Sequence, residues 1–178
     1  MTVVVRTGND REWAEVGALH YRSRADAYAG FLPPEALTFG SPDALGEWWT
    51  ERWRWEQDTH RFAVAVDADA IVGFTYLGPS EEPGVTELSA IHVAPNLVGT
   101  GVGRLLMMDA LPHLGERATL WVLEGNRRAR LFYERGGWRF DGTTRDAPIG
   151  GVITRQLRYA IGSASLSGET GGRERATE

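Results

Sequence analysis

The sequence predicts an α/β fold in which a mixed central sheet of about six to seven strands is flanked by about four helices. Three observations support this prediction. The 178 residues suit one domain of ordinary size, and a hydrophobic fraction of 42% is enough to build a core. Strand and helix patterns also follow one another in an order typical of helices packed on the faces of a sheet: strand, two helices, three strands, helix, strand, helix, two strands. We expect this domain to cover residues 1–161, followed at 162–178 by a flexible tail rich in Ser, Gly, Thr and Glu.

The composition excludes several classes of function. The net charge of −5 argues against broad binding to nucleic acids or anionic membranes. All 19 residues counted as Lys or Arg are Arg, so neither a P-loop lysine nor a Schiff-base lysine exists. The absence of Cys excludes thiolate nucleophiles and zinc–thiolate sites, and we expect no metal cofactor. The apolar run from Val3 to Val5 is too short for a signal peptide, and no stretch approaches the ~20 apolar residues of a membrane helix, so we expect a cytoplasmic protein.

The N-terminal part predicts one strand and two helices. Residues 2–6, all but the last of them β-branched, indicate the first strand. Asn9 or Asp10 is a suitable cap for a helix that runs to about residue 25, before Gly and Pro residues interrupt it. The triplet Ser41-Pro42-Asp43 is a strong start signal for the second helix.

The remaining elements follow from turn signals. Residues 61–66 and 70–77 predict a hairpin around Asp67-Ala68-Asp69, and a polar loop follows at 78–84. Strands are predicted at 87–93, 119–123, 138–140 and 152–160, and helices at 101–114 and from 126 to the Gly136-Gly137 pair. Pro112 is expected to end the helix at 101–114 early.

A glycine turn between a strand and a helix is the most informative segment. Gly99, Gly101 and Gly103 follow the strand at 87–93, so backbone N–H groups can converge at a helix N-terminus without β-carbons in the way. Such a turn suits a pyrophosphate. A Walker loop is excluded because it needs Lys, and the dinucleotide fingerprint fails because Arg104 stands where its third glycine would be. The alternative without a ligand is a turn that simply packs a helix on the sheet.

The turn closely resembles the coenzyme A loop of the GNAT superfamily of acetyltransferases, Gln/Arg-x-x-Gly-x-Gly/Ala. The run Gly101-Val102-Gly103 matches its last three positions, and Val93-Ala94-Pro95 matches the end of the strand before it. Val98 occupies the Gln/Arg position, so we expect its backbone N–H to serve where a side chain usually would. The resemblance implies acetyl-CoA as cosubstrate. The cofactor-binding residues that it implies are Ile91, His92, Val93, Val98, Gly99, Thr100, Gly101, Val102, Gly103, Arg104, Asn126 and Tyr133.

A second segment supports the same family. Residues 126–138 resemble the GNAT helix Asn-x-x-Ala-x-x-Phe-Tyr-x-x-x-Gly-Phe, with Trp138 in place of the last Phe. The resemblance implies that Asn126 contacts the pantetheine arm and that the Tyr133 hydroxyl protonates the leaving thiolate. Each residue also has an ordinary explanation: Asn126 as a helix cap and Tyr133 as a core aromatic.

A carboxylate is the expected base, because the acceptor amine arrives as an ammonium ion and must lose a proton. Glu87 is our candidate, since it lies on the strand that leads into the glycine turn. On a regular strand it shares a face with Ser89, Ile91 and Val93, whereas His92 points to the opposite face and is the weaker candidate. The alternative for Glu87 is an ordinary acid at the start of a strand.

The acceptor is not specified by the sequence. The predicted N-terminal helices and their loop are rich in aromatic residues that would suit an apolar or cationic amine. We favour an N-acetyltransferase acting on a small molecule or a peptide N-terminus, and expect no nucleic-acid or membrane partner. A protein lysine acetyltransferase and a non-catalytic acyl-CoA-binding domain remain the alternatives. Many GNAT proteins pair, so a homodimer is compatible with the resemblance.

Overall fold

The computed structural model describes residues 2–162, which form seven strands and five helices around one sheet. The strands are β1 (Val3–Thr7), β2 (Arg61–Asp67), β3 (Ala70–Pro79), β4 (Thr86–Val93), β5 (Arg117–Leu123), β6 (Arg139–Ile149) and β7 (Val152–Gly162). The helices are α1 (Trp13–Tyr28), α2 (Pro34–Leu37), α3 (Pro42–Glu56), α4 (Val102–Ala110) and α5 (Arg127–Arg135). Gly162 therefore ends β7, and the rest of the predicted tail, residues 163–178, lies outside the described residues.

The sheet is mixed, as predicted. Its strand order is β1-β2-β3-β4-β5-β7-β6, and every neighbouring pair is antiparallel except β4 and β5, which are parallel. The four predicted helices are present. The short helix α2 is additional, because Pro34 stands in its first turn, where proline is tolerated, whereas we expected Pro33 and Pro34 only to interrupt structure.

Helices cover both faces of the sheet. On one face, here called the α1/α3 face, Trp13 and Trp49 pack on Phe62 and Tyr76. On the other, the α4/α5 face, buried residues of α4 and α5 pack on β4, β5 and β7 in a second cluster. Within the described residues no helix is long and apolar enough to span a membrane.

Capping explains which helix starts could be predicted. Ser41 accepts a hydrogen bond from the Ala44 amide at 3.1 Å, so the predicted cap of α3 is confirmed. The predicted cap of α1 is wrong: Glu12 occupies the cap position and makes no side-chain cap bond. Asn9 instead accepts from the Arg11 amide, and Asp10 accepts from Trp53 on α3.

Two elements in the C-terminal half differ in length from the sequence patterns: α4 is shorter and β6 is longer. Helix α4 ends at Ala110 and passes into a short 3-10 turn, Leu111–His113, as Pro112 predicted. Strand β6 continues to Ile149, although its turn-rich sequence predicted a strand at 138–140 only. Its partner β7 supplies the pairing that the local sequence does not.

A β-bulge in β4 shapes the centre of the sheet. Ala90 pairs with Tyr76 and Leu88 pairs with Leu77, so Ser89 is an extra residue without a partner on β3. Beyond the bulge β4 leaves β5, since the two strands pair only at two positions, Thr86 with Ala118 and Glu87 with Thr119. An opening between β4 and β5 results on the Val93 side of Glu87.

The bulge also corrects one expectation about side-chain direction. Ile91 and Val93 pack on the α4/α5 face, whereas Ala90 packs on the α1/α3 face with Tyr76. Glu87 precedes the bulge and pairs with Gly78, so it lies on the α1/α3 face as His92 does. Our prediction that Glu87 shares a face with Ile91 and Val93 is therefore wrong, because the extra residue reverses the alternation.

Candidate active site

The opening between β4 and β5 lets the two faces of the sheet meet. Tyr28, at the end of α1, lies close enough to Tyr133 of α5 to help raise the pKa of the Tyr133 phenol. Arg128 of α5 pairs with Asp26 of α1 at 3.3 Å. The ring of Phe31 packs so closely on Gly125 that a β-carbon there would have no room. Helices from opposite faces thus border one site.

The glycine turn stands at one end of this opening with its backbone exposed. Gly99 and Gly101 adopt φ values of 85° and 104°, a region that favours glycine, and nothing lies within 4 Å of where either β-carbon would be. Thr100 holds the turn, because both its amide and its hydroxyl donate to the Leu97 carbonyl, at 3.2 and 2.7 Å. The turn is therefore open to a ligand yet fixed in shape.

The first amides of α4 are free to bind an anion. Gly101 provides no side-chain cap, and the N–H groups of Val102, Gly103 and Arg104 have no acceptor among residues 2–162. Unpaired amides and the helix dipole favour a phosphate at this end. The Val98 amide, which we expected to face phosphates, donates instead to the Pro95 carbonyl at 3.3 Å.

Gly103 has a second, structural use. Its α-carbon faces the Phe132 ring and Val93, each 3.7 Å from where a β-carbon would be. The packing explanation considered for the turn therefore fits Gly103, but it does not fit Gly99 or Gly101, which touch nothing on that side.

Asn126 fulfils the ordinary role that its position predicted. Its Oδ1 accepts a hydrogen bond from the Ala129 amide at 3.1 Å and caps α5. The side-chain NH₂ has no recorded partner within the described residues, so it is free to donate to a ligand. Capping and ligand binding are therefore compatible in this residue.

Tyr133 is buried but keeps a free hydroxyl. Its ring packs against Trp138 and Tyr159 in the core of the α4/α5 face. No hydrogen bond of its hydroxyl is recorded within residues 2–162. Burial raises the pKa of Tyr133 well above the ordinary value, and Tyr28 adds to the shift. The phenol is thus protonated at neutral pH, the state that a proton donor needs.

Glu87 lies at the closed end of the opening, because it is the last residue of β4 that pairs with β5. It is partly exposed, and the Ser89 hydroxyl donates to its Oε1 at 3.4 Å. Burial lowers the pKa of nearby His60, and the charges of Glu56 and Glu87 oppose that shift. No Arg pairs with Glu87 among the described residues, so no ion pair blocks the approach of a ligand to its carboxylate.

Two partly buried histidines beside the opening were not predicted as a pair. His20 accepts a hydrogen bond from Trp49 at its Nδ1 atom (3.1 Å), and its ring centroid lies 4.3 Å from that of His92. The Nδ1 atom of His92 is 2.7 Å from the Ser23 hydroxyl. Burial lowers the pKa of His92 to about 4 and that of His20 well below its usual range. Both rings are therefore neutral at neutral pH.

The signal for this histidine pair in the sequence was only partial. Helical spacing places His20 beside the apolar residues of α1, but nothing local shows that it meets a β4 residue 72 positions later. The bulge after Glu87 fixes the face of His92, and a bulge cannot be read from one strand alone.

The aromatic residues divide between core and surface. Trp49 is buried, whereas Trp48 is 49% exposed and Trp55 is 83% exposed. Two of the four acidic residues of α3 are paired: Glu56 with Arg52 at 2.6 Å, and Glu51 with Arg54 at 2.9 Å. The charges of these two are thus balanced locally. The part of the chain that is described brings no group of three or more metal-ligating side chains together.

Comparison with known proteins gives a consistent result. The model of the Acetyltransferase (GNAT) family matches residues 29–138. A probable N-acetyltransferase of Mycobacterium tuberculosis is 29% identical over 165 residues, which is 88% of this chain and 92% of that protein. A mycothiol acetyltransferase of Geodermatophilus obscurus is 31% identical over 132 residues, 66% of this chain. The match spans only 42% of the length of that mycothiol acetyltransferase.

Solved structures share the fold at low sequence identity. The PaiA N-acetyltransferase of Thermoplasma acidophilum, solved in complex with coenzyme A, superposes with a TM-score of 0.76 at 16% identity, covering 92% of this chain and 100% of that one. The ribosomal-protein-S18-alanine N-acetyltransferase of Escherichia coli gives a TM-score of 0.67 at 15% identity, with 93% and 98% covered.

Proposed function

Because the chain belongs to the GNAT family of acetyltransferases, we propose that it moves the acetyl group of acetyl-CoA onto the primary amine of a small molecule or a peptide N-terminus. The observation that carries this proposal is the pairing of an open glycine turn, with free amides at the start of α4, and a buried tyrosine with a free hydroxyl on α5. A phosphate site and a proton donor at one opening suit a thioester of a phosphorylated cofactor.

The residues present fit acetyl-CoA. The amides of Val102, Gly103 and Arg104 would hold the pyrophosphate, and the missing side chains of Gly99 and Gly101 would let it approach the backbone. The end of β4, which no longer pairs with β5, would offer unpaired backbone to the pantetheine arm, and the free side-chain NH₂ of Asn126 would donate to it. When bound, acetyl-CoA supplies the activated acetyl group.

Two residues of this chain would move the protons. Glu87, directly or through a water, would take a proton from the acceptor ammonium, so that the free amine can attack the thioester carbon. The new C–N bond would form as the C–S bond breaks, and Tyr133 would give its proton to the departing sulfur. The second proton that the nitrogen loses would pass through water and restore the Tyr133 phenol, while Glu87 would release the first proton to solvent. Glu87 and Tyr133 come from opposite faces of the sheet, in keeping with an amine and a thioester that enter from opposite sides.

Contacts around the acceptor side favour a small acceptor over a folded protein. Phe31 rests on Gly125, and Ala36 of α2 packs against Gly150 in the turn between β6 and β7. The segment from α1 to α3 therefore covers the opening on the α1/α3 face. The mycothiol acetyltransferase relatives are also named after a small molecule. An open groove for a lysine side chain of a protein is not supported by this arrangement.

A panel of amines tests the proposal. The protein would be incubated with acetyl-CoA and each amine, and free coenzyme A would be measured with a thiol reagent, to which this Cys-free chain contributes no background. Acetylated product identified by mass spectrometry, and no release without amine, is the expected result. Binding of acetyl-CoA without transfer to any amine or lysine peptide would instead support a non-catalytic acyl-CoA-binding domain.

A further inference from the structure

Arg24 is a cation beside the opening that has no acidic partner. Its Nη2 donates to the Phe39 carbonyl at 2.6 Å, while its Nε is buried and has no acceptor among the described residues. No carboxylate of residues 2–162 lies within 4.0 Å of its guanidinium, and the nearby Asp26 is paired with Arg128. Most of the five N–H donors of Arg24 are thus without an acceptor.

The surroundings of Arg24 place it in the candidate active site. It follows Ser23 on α1, whose hydroxyl lies 2.7 Å from Nδ1 of His92, and it is four residues, about one helical turn, from both His20 and Tyr28. Its charge also helps to lower the pKa of His20 and of His92. Tyr28 in turn lies near Tyr133, the proposed proton donor. Arg24 therefore stands on the acceptor side of the opening, beneath the segment that joins α1 to α3.

A partly buried guanidinium without a counter-ion is costly unless a ligand provides one. His20 and His92 are neutral, so neither competes with Arg24 for an anion nor balances its charge. A carboxylate matches the planar guanidinium best, because two parallel N–H···O bonds form between them. A phosphate dianion would need more positive charge than this one group supplies.

We propose that Arg24 binds a carboxylate carried by the acceptor, so that the preferred substrates are small amino carboxylates. The inference rests on the proposed acetyltransferase function and specifies its substrate class. Arg24 holds one end of the acceptor while the amine at the other end reaches the thioester. Arg24 is thus a specificity-determining residue rather than a proton carrier.

Matched acceptors provide the test. Values of kcat/KM would be measured for amino acids, including glycine and β-alanine, and for their uncharged carboxamides. We expect the wild type to prefer each carboxylate, and Arg24→Gln to lower kcat/KM for carboxylates by about 10- to 100-fold, mainly through KM, since hydrogen bonds between charged groups are lost. The kcat/KM values for the carboxamides should change by less than about threefold. Arg24→Lys keeps the charge but loses the planar guanidinium. Its kcat/KM for carboxylates should lie between the values of the wild type and of Arg24→Gln.

Arg22→Gln is the matched control, because Arg22 is an exposed arginine on the same helix with no recorded partner. This control variant should leave kcat/KM unchanged for both the carboxylates and the carboxamides. If Arg24→Gln lowers kcat/KM for carboxylates and for carboxamides equally, Arg24 only anchors Phe39 and the inference is wrong. The inference would also be wrong if the wild type prefers amines that bear a phosphate, or if its kcat/KM is the same for each carboxylate and its carboxamide.

A binding measurement separates this inference from the proposed function. Calorimetry would follow glycine and β-alanine binding to the protein saturated with coenzyme A, in wild type and Arg24→Gln. Binding that is lost in the variant supports the carboxylate site even if no amine is acetylated, an outcome that would reject only the proposed function. Acetylation of neutral amines without binding of any amino carboxylate would reject the inference and leave the proposed function standing.

Discussion

At the scale of single residues, two protonation states make the candidate site suitable for acyl transfer. Tyr133 is held as a phenol by burial, and Glu87 keeps a carboxylate that no recorded arginine neutralises. One group can give a proton and the other can take one at neutral pH. Their environments differ because β4 and β5 separate between them: Glu87 lies where the strands still pair, and Tyr133 packs in the core beside the opening.

Replacing Tyr133 with Phe tests the proton donor. The ring keeps its packing, but the departing thiolate loses its acid, so kcat should fall by about 10²- to 10⁴-fold while the acetyl-CoA Kd stays nearly constant. Tyr159→Phe is a suitable control, because that hydroxyl bonds Glu134 at 2.7 Å and serves structure. It should lower stability without a comparable loss of kcat. Near wild-type kcat in Tyr133→Phe would leave Tyr133 as a packing residue.

Replacing Glu87 with Gln tests the base. The amide keeps the size of the side chain but cannot accept the proton, so the rate should fall most near neutral pH and recover partly at high pH, where free amine is plentiful. Glu81→Gln changes an exposed acid nearby and should leave the pH–rate profile as it is. An identical profile in both variants would move the base to a water chain or to another group on that face.

At the scale of elements, local signals predicted most of the fold and part of the site. The Ser41 and Asn126 caps, the hairpin turn at Ala68 with its φ of 52°, and the glycine turn all depend on neighbouring residues, so the sequence reveals them. The Ser89 bulge depends on pairing with β3, which no local pattern records. The directions of Glu87 and His92, and the meeting of His92 with α1, therefore required the structure.

Charge and backbone strain at the start of α4 can be separated at Gly101. Gly101→Ala adds strain at a positive φ and should cost about 1–2 kcal/mol of stability with a modest effect on acetyl-CoA. Gly101→Asp adds a carboxylate where the pyrophosphate is expected, so it should weaken acetyl-CoA binding much further. Gly84→Asp, at an equally open glycine with a φ of 75°, controls for strain. Equal acetyl-CoA affinity in Gly101→Asp and Gly84→Asp would remove the phosphate site from this turn.

At the scale of the whole molecule, the histidine pair links stability to pH. His20 and His92 have lowered pKa values when folded, so the unfolded chain binds more protons than the folded chain below about pH 6.5, and for His92 this difference persists down to about pH 4. Stability is thus fully present above pH 6.5 and falls as the pH falls, by up to about 1.4 kcal/mol per pH unit for each histidine. Urea unfolding measured between pH 7.5 and 5 should show this slope of the unfolding free energy against pH.

The variant His92→Gln should flatten that slope, because it removes one titrating group while keeping a polar contact for Ser23. His60, whose pKa is also lowered by burial, accounts for part of the slope that remains. His113→Gln is the comparison variant, since its side chain is exposed. A slope unchanged by His92→Gln would mean that His92 is already accessible to protons in the folded chain.

Ligand binding should stabilise the whole fold, because the proposed site joins elements from both faces of the sheet. Acetyl-CoA that binds only the folded chain adds about 2.7 kcal/mol at 100 times its Kd, which corresponds to a Tm increase of roughly 5–10 °C for a domain of this size. Free coenzyme A should act similarly, since the glycine turn contacts phosphates and not the acetyl group. NADH provides a control, because the spacing at Gly99, Gly101 and Gly103 does not fit a dinucleotide. If millimolar acetyl-CoA leaves Tm unchanged in the wild type, the open amides at the start of α4 do not bind this cofactor. If NADH raises Tm as much, the turn binds pyrophosphates without selecting coenzyme A.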